Sequence, residues 1–400
     1  MDRSDRVTSR SVEYEPIGVK DILITMKDSS ELIVDLAYSA LLHSSEPLAE
    51  EVLELEAEMD ILQLQARMNL LLAARTTRDA RQLAPVLGMV GAAEKISEAA
   101  GDIAGVVLGE DTLPRAIRAA LPEAMEVLAR ANISPDSPYA GQTLETIDLE
   151  TETGVRVIGI RSGGQWALNP DREDRLNAGD MVLLRGPEHT LSEVYETATG
   201  DGYEPPDAPE TEITDLSRAV DTIVLMKNVS ELSIDLAYAS VLFDDEELAR
   251  EVRDLEVEVD ALQSRLEAWT LRAAAKVDDP VSLRGFLRLA SSAELISDAA
   301  LEIAAGILRD IDTHPVISES VRESDIAVRR VRINRGSSLA GTTIEALLAD
   351  HPGVSPVAIH EPDGEWVFYP DEGDTLNKGD VLIVRGTWDA TGALLADGSQ

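Results

Sequence analysis

Residues 30–38 read Ser-Glu-Leu-Ile-Val-Asp-Leu-Ala-Tyr, and residues 230–238 read Ser-Glu-Leu-Ser-Ile-Asp-Leu-Ala-Tyr. The same offset of 200 carries Glu56, Glu58, Asp60, Leu62 and Gln63 onto Glu256, Glu258, Asp260, Leu262 and Gln263. It also carries Trp166, Pro170, Asp171, Asp174, Leu176, Asn177, Gly179, Asp180, Arg185 and Gly186 onto identical residues between Trp366 and Gly386. Self-similarity at a fixed period marks a duplicated structural unit. The chain of 400 residues is therefore read as two tandem copies of one unit.

Within each copy the hydrophobic period changes once. Ile22, Leu23, Met26, Leu32, Leu36 and Leu41 fit one long helix. Leu48, Val52, Leu55, Met59, Leu62 and Ala66 step by three and four along a second, and Leu83 to Leu108 continue on a third. Ser44–Pro47 and Thr76–Asp79 carry the residue types of helix ends and N-caps. After residue 124 the pattern is that of strands: Val127–Ile133, Val155–Ile160, Gln165–Leu168 and Met181–Leu184, with Gly163-Gly164 at a hairpin and a short helix at Thr143–Leu149. The second copy places Asp363-Gly364 at the same hairpin. The expected fold class is α+β: two repeats, each an antiparallel three-helix bundle followed by a small β-rich α/β module. The expected domains are a bundle at 15–110, a module at 124–187, a Pro-, Gly- and acid-rich linker at 196–214, a bundle at 215–310 and a module at 326–387.

Composition narrows the function. There is no Cys, which excludes disulfides, thiolate metal sites and a Cys nucleophile. The formal net charge is −40, with 29 Arg and only 6 Lys among the bases. So acidic a chain repels itself unless salt screens it, which predicts a cytoplasmic protein of a salt-loving organism. The charge argues against nucleic-acid binding, which needs basic patches, and against docking on anionic lipid. Met1–Arg10 is polar with no apolar run after it, and no window of ~18 apolar residues exists, so no direct membrane insertion is expected. Any membrane role would be peripheral, through a partner. No His-Glu-x-x-His, Gly-x-Ser-x-Gly, P-loop or dinucleotide fingerprint is present, so no enzyme is expected.

Two resemblances rest on these residues. The helical part resembles the PhoU family. The β-rich part is similar to the TrkA C-terminal domain, the C-terminal lobe of regulators of K⁺ conductance. The second rests on Ala140-Gly141-Gln142-Thr143-Leu144, Val157-Ile158-Gly159-Ile160-Arg161, Asn169-Pro170-Asp171 and Leu176-Asn177-Ala178-Gly179-Asp180, with their counterparts in the second copy. The resemblance implies a non-catalytic regulatory subunit of potassium or cation transport. Its partners would be a membrane transporter or channel subunit and a small-molecule ligand such as cyclic di-AMP. The chain would form a homodimer or pair its two TrkA-C-like modules internally. The other reading the resemblance opens is a PhoU-type adaptor of phosphate uptake or signalling that binds metal.

The resemblance also implies the site residues. A ligand groove would use Ile158, Ile160, Arg161, Asn169 and Pro170 in the first module, and Ala358, Ile359, His360, Tyr369 and Pro370 in the second. Apolar side chains would sandwich a base and the Arg161 fork would take a phosphate; the plain alternative divides Ile158 and Ile160 between a core and a dimer seam. PhoU-like proteins hold a divalent metal or iron through Glu-x-x-x-Asp pairs. The matching pairs are Glu56 with Asp60, Glu94 with Glu98, Glu256 with Asp260, and Glu294 with Asp298. Each lies four residues apart on one helix face. Ala99-Ala100 and Ala299-Ala300 replace the family's neighbouring polar ligands. With 75 acidic residues, solvated acidic faces account for such pairs equally well.

Overall fold

The computed structural model describes residues 19–109, 127–163, 165–168, 170–186, 188–203, 213–277, 280–309, 326–334, 336–351, 353–362, 366–368 and 370–398. The first copy begins with three long helices: α1 (Val19–His43), α2 (Glu46–Ala73) and α3 (Thr77–Leu108). Their ends are set by local chemistry. Ser44 adopts a left-handed φ of 47° and Ser45 caps α2 by accepting from the Leu48 amide, with Pro47 in the first turn, where its missing N–H costs nothing. Thr76 and Asp79 form a reciprocal capping box at the start of α3.

The module follows. Its strands are β1 (Val127–Asn132), β2 (Arg156–Ser162), β3 (Gln165–Leu168) and β4 (Met181–Gly186), with short helices α4 (Leu144–Ile147) and α5 (Leu149–Thr153) before β2 and helix α6 (Glu188–Thr199) after β4. The sheet order is β1-β4-β2-β3, antiparallel throughout. Gly163, at φ 58°, turns the β2–β3 hairpin. Gly186 is required where β4 passes the Gly154–Val155 backbone: a Cβ there would stand 3.0 Å from Val155 Cα.

The second copy repeats this plan. Helices α7 (Thr214–Phe243), α8 (Glu246–Ala274) and α9 (Arg284–Leu308) form the bundle, with a 3₁₀ turn at Pro280–Leu283 before α9. The module contains β5 (Ile326–Arg332), α10 (Ile344–Asp350), β6 (Val354–His360), β7 (Trp366–Phe368), β8 (Val381–Thr387) and α11 (Trp388–Gly398), with sheet order β5-β8-β6-β7. The three-helix bundles and β-rich modules expected from the sequence are present twice. Helices α6 and α11 were not expected. Leu191, Val194 and Ala198 of α6 pack into the module core at helical spacing, and Ser134 N–H donates to the Ala198 carbonyl.

Packing joins the copies in an unexpected place. Internal pairing of the two TrkA-C-like modules was anticipated, but among the described residues the extensive contact between copies runs through the bundles, where α3 packs on α9. The two sheets share no hydrogen-bonded strand. Small residues cause this: a Cβ at Gly306 of α9 would come to 3.0 Å of Pro85 on α3, so close approach needs glycine there. One hydrophobic core runs through both bundles and takes in one face of each sheet, through Leu128, Ile158 and Leu183 and through Val328, Val357 and Ile383. The opposite sheet faces close on their own helices in separate cores.

Candidate functional site

The seam between the bundles is lined by charge. Helices α1 and α7 meet with reciprocal contacts: Lys27 Nζ lies 5.4 Å from the Tyr238 ring centre and Lys227 Nζ lies 5.0 Å from that of Tyr38. This is the isologous pattern of a twofold interface built within one chain. Lys27 pairs with Glu31 at 2.7 Å and Lys227 with Glu231 at 2.8 Å, one helical turn apart. Ser30 and Tyr238 hydroxyls lie 3.3 Å apart across the seam.

Each module adds an arginine to this seam. Arg185, on β4, donates to the Asp35 carboxylate on α1 and also stands 3.9 Å from the Glu231 carboxylate on α7. Arg385, its counterpart on β8, stands 3.9 Å from Asp235. Lys27, Lys227, Asp35, Glu231, Arg185 and Arg385 all have nearly buried side chains. Burial raises the Asp35 carboxyl above its ordinary range against the pull of Arg185, and Glu231 raises it further. For Glu31, burial is outweighed by Lys27 together with Arg385 and Arg156, and its carboxyl is lowered. Both modules thus place a cation in one buried network that spans the two helices of the seam.

The anticipated ligand residues divide. The β2 register shifts between Val157 and Gly159, so Ile158 and Ile160 end on opposite faces of the sheet. Ile158, 1% exposed, is part of the shared core against the bundles, while Ile160 belongs to the module's own core. The structure therefore does not bring these two to one groove surface. Arg161 stacks over Trp166 at 5.8 Å, and Arg161 Nε and Trp166 Nε1 are enclosed without a hydrogen-bond partner. A cavity of about 260 Å³ opens at the edge of Trp166, lined by Ile160, Ser162, Ala167, Asp174, Arg175, Asn177 and Asp180 as well; Arg161, between Ile160 and Ser162 on the strand, is on the other face and does not line it. Pro170 is half-buried.

The second module differs at the same place. Ala358 lies in the shared core and Ile359 in the module core. His360, Trp366 and Phe368 form a parallel stack, with centroids 4.4 and 5.7 Å apart. His360 Nδ1 lies 3.0 Å from a Glu251 carboxylate oxygen on α8. In the second copy the position of Arg161 is thus already paired. Pro370 is half-buried, and Asn169 and Tyr369 lie outside the described residues.

The carboxylate pairs do gather, α2 against α3 and α8 against α9. Burial, then Asp60, Asp102, Glu98 and Glu94, push the Glu56 carboxyl up to about 7. Burial also raises Glu94, Glu256, Glu294 and Asp298, with neighbouring carboxylates adding to it. The Glu56 carboxylate lies on the α3 backbone at Gly101, where a Cβ would collide with it. The donors suit a hard cation. Their geometry does not fit one here: among the described residues no three His, Asp or Glu side chains close into a metal-holding group.

A pH dependence follows from Glu56. Its carboxyl is raised from 4.5 to about 7, so the folded chain keeps a proton that the unfolded chain releases. Stability from this group is greatest below pH 4.5 and falls as pH rises to 7. Glu56→Gln keeps the shape and removes the charge. It is expected to gain about 1 kcal/mol at pH 8, after allowance for solvent screening at this half-exposed site, and nothing at pH 4. Urea unfolding of both proteins at the two pH values measures it; an equal shift at both would contradict the assignment.

Comparison with known proteins places these domains. The TrkA-C domain family matches residues 128–199 and 328–396, and the PhoU domain family matches residues 23–107 and 223–307. Among solved structures, PhoU from Pseudomonas aeruginosa is 14% identical with a TM-score of 0.39, covering 76% of this chain and 96% of its own. The GsuK RCK domain is 18% identical with a TM-score of 0.18, covering 68% of this chain and 63% of its own. The NAD-bound GsuK channel is 14% identical with a TM-score of 0.18, covering 79% and 66%. No curated protein matches the sequence. With the TM-scores this low, the assignment rests on the domain matches, which recur at the repeat offset and coincide with the bundles and the sheets. The chain is a fusion of PhoU-type helical domains and TrkA-C domains, each present twice.

Proposed function

We propose that this chain is a non-catalytic regulatory subunit of potassium or cation transport, in which the first TrkA-C domain senses a small anionic ligand and the bundle seam carries the response. The observation that supports it most is the asymmetry of the two modules. Arg161 and Trp166 hold enclosed, unpartnered donors in contact with each other, and Trp166 borders a cavity. In the second module His360 is stacked and held by Glu251. A ligand group that satisfied Arg161 and Trp166 would bind one module and leave the other as scaffold. Arg185 on the same sheet ties that module to Asp35 and to Glu231 of the other copy. A shift of the module would therefore bias the seam, which is a differential contact of the kind a population shift needs.

Cyclic di-AMP is the ligand to test first. At about 260 Å³ the cavity is smaller than the roughly 300–1,000 Å³ of pockets that enclose drug-sized ligands. It would seat one nucleotide half, and the other half would lie against a second copy of the chain. The experiment is isothermal titration of cyclic di-AMP into the protein in multimolar KCl, with Arg161→Ala in parallel. Saturable binding that the variant loses supports the reading; no heat, or equal binding by both, removes this ligand. The PhoU domain matches support a second reading, an adaptor of phosphate uptake or signalling, in which metal would bind only if the Glu56, Asp60, Glu94 and Glu98 side chains drew closer together than they stand here. Elemental analysis of the purified chain and its Glu56→Gln, Glu94→Gln variant separates the two.

A further inference from the structure

The charge of the chain reverses at two places, and at both the structure exposes leucine. Residues 46–63 of α2 contain seven acidic residues and no basic one. The next stretch, residues 64–88, which forms the end of α2, the turn and the start of α3, holds four Arg against one Asp. Arg67, Arg75, Arg78 and Arg81 are all exposed. Between them stand Leu71 and Leu72, 72% and 65% exposed, with Leu64 and Leu87 also in the open. The equivalent tip of the second bundle, residues 264–288, holds five basic residues against three acidic, but Lys276 is paired with Asp215 of α7 and Arg265 with Glu258. There Leu271 is 69% exposed, Val281 and Leu287 are exposed, and Trp269 lies between Arg218 and Arg272, each 4.7 Å from its ring. Leu71 and Leu271, and Leu87 and Leu287, are the same positions of the two copies. Outside the tips the exposed large apolar residues among those described are Leu53 and Val257, which stand singly among acidic residues and do not match between the copies.

We propose that these two helix-hairpin tips are docking elements for an anionic lipid surface. Exposed leucines with arginines near them in sequence suit an interface whose headgroups are negative and whose next layer is hydrocarbon. Leu71 and Leu72 lie in the last turn of α2 and Leu271 in the last turn of α8, each at least 65% exposed. The overall charge does not forbid the contact. The acidic block of α2 ends at Asp60, about 20 Å along the helix from the tip, whereas charges are screened within ~8 Å at physiological ionic strength and ~3 Å at 1 M salt. A lipid surface at the tip therefore meets the tip's own charge. Because α3 and α9 run antiparallel, the tips face opposite ends of the paired bundles, and each engages a surface on its own. The first tip, with the larger excess of arginine and the adjacent leucines, is the stronger of the two.

The test is co-sedimentation of the full chain with vesicles of equal parts phosphatidylglycerol and phosphatidylcholine, and with phosphatidylcholine alone. The wild-type chain is expected to partition to the anionic vesicles. Leu71→Ser with Leu72→Ser is expected to lower that partitioning about tenfold at every salt concentration, and Leu271→Ser to lower it less. Arg75→Gln with Arg78→Gln and Arg81→Gln is expected to lower it at low salt and to match wild type at 1 M salt. These side chains are exposed, and an unchanged melting temperature confirms that each variant is folded. The proposal is overturned if wild type stays in the supernatant, or if the leucine variant sediments as wild type does. Capture by immobilised polyglutamate without vesicle binding would also overturn it, and would make the tips a site for an acidic protein.

Discussion

Arg185→Ala is expected to lower the unfolding free energy by about 3–5 kcal/mol, the range for removing one partner of a buried ion pair. The arginine side chain is 11% exposed and serves two carboxylates, Asp35 and Glu231, each 8% exposed. Its removal leaves both acids in a low-dielectric seam beside each other. Lys227 still pairs with Glu231, so the stranded group is chiefly Asp35. Burial already raises the Asp35 carboxyl with the arginine present. Without it, Asp35 takes up a proton more readily in the folded chain than in the unfolded one, and the loss grows as pH rises above the ordinary carboxylate range. The variant is therefore expected to fall further below wild type at pH 8 than at pH 5. Asp35→Asn placed on Arg185→Ala is expected to restore part of the stability at pH 8, because the amide needs no counter-ion. Arg385→Ala is the comparison at the matched position, where Arg385 stands 3.9 Å from Asp235 and also acts on Glu31. Equilibrium urea unfolding of the four proteins measures this, and equal small losses for Arg185 and Arg385 would remove the seam from the account.

The network was legible in the sequence, but in a register the hydrophobic period does not report. Two of only six lysines stand at 27 and 227 inside apolar stretches of helix, and Glu31, Asp35 and Arg185 recur at the same offset. Charge inside an apolar stripe, repeated in both copies, is the signal of paired burial. The bundles and strands could be read because helix and strand periods act over neighbouring residues, and because Ser45, Thr76 and Asp79 cap where capping residues are expected. Helix α6 was missed because its three buried positions are set among Glu and Thr and run into a Pro-rich segment. The bundle-to-bundle pairing was missed for a different cause: Gly306 against Pro85 is complementarity between residues 221 positions apart, and no local pattern encodes it. The division of Ile158 from Ile160 turned on a bulge, one extra residue that reverses which side chains share a face.

That division yields a second large expected effect. Ile158→Asp is expected to cost 4 kcal/mol or more, on the order of the penalty for an unpaired charge in an apolar interior. Ile158 is 1% exposed and packs in the core that joins the first sheet to the bundles. An aspartate there either stays buried and protonated, at the expense of the apolar contacts, or forces the sheet off the bundle. In the second outcome the module keeps its own core, which contains Val157, Ile160, Val182 and Leu184 but not Ile158. The expected signature is a split transition: the bundles and the module unfold separately where wild type unfolds together, and protease releases the module as an intact fragment. An open ligand groove predicts the reverse, namely an unchanged melting temperature with loss of ligand binding alone. Differential scanning calorimetry with limited proteolysis distinguishes them. A wild-type melting profile for Ile158→Asp would return Ile158 to the binding surface and remove the docked module from the proposed transmission route. A split profile would show instead that the first TrkA-C domain reaches the seam only through this face, so that a ligand at Arg161 and Trp166 must act by changing how tightly that face is held.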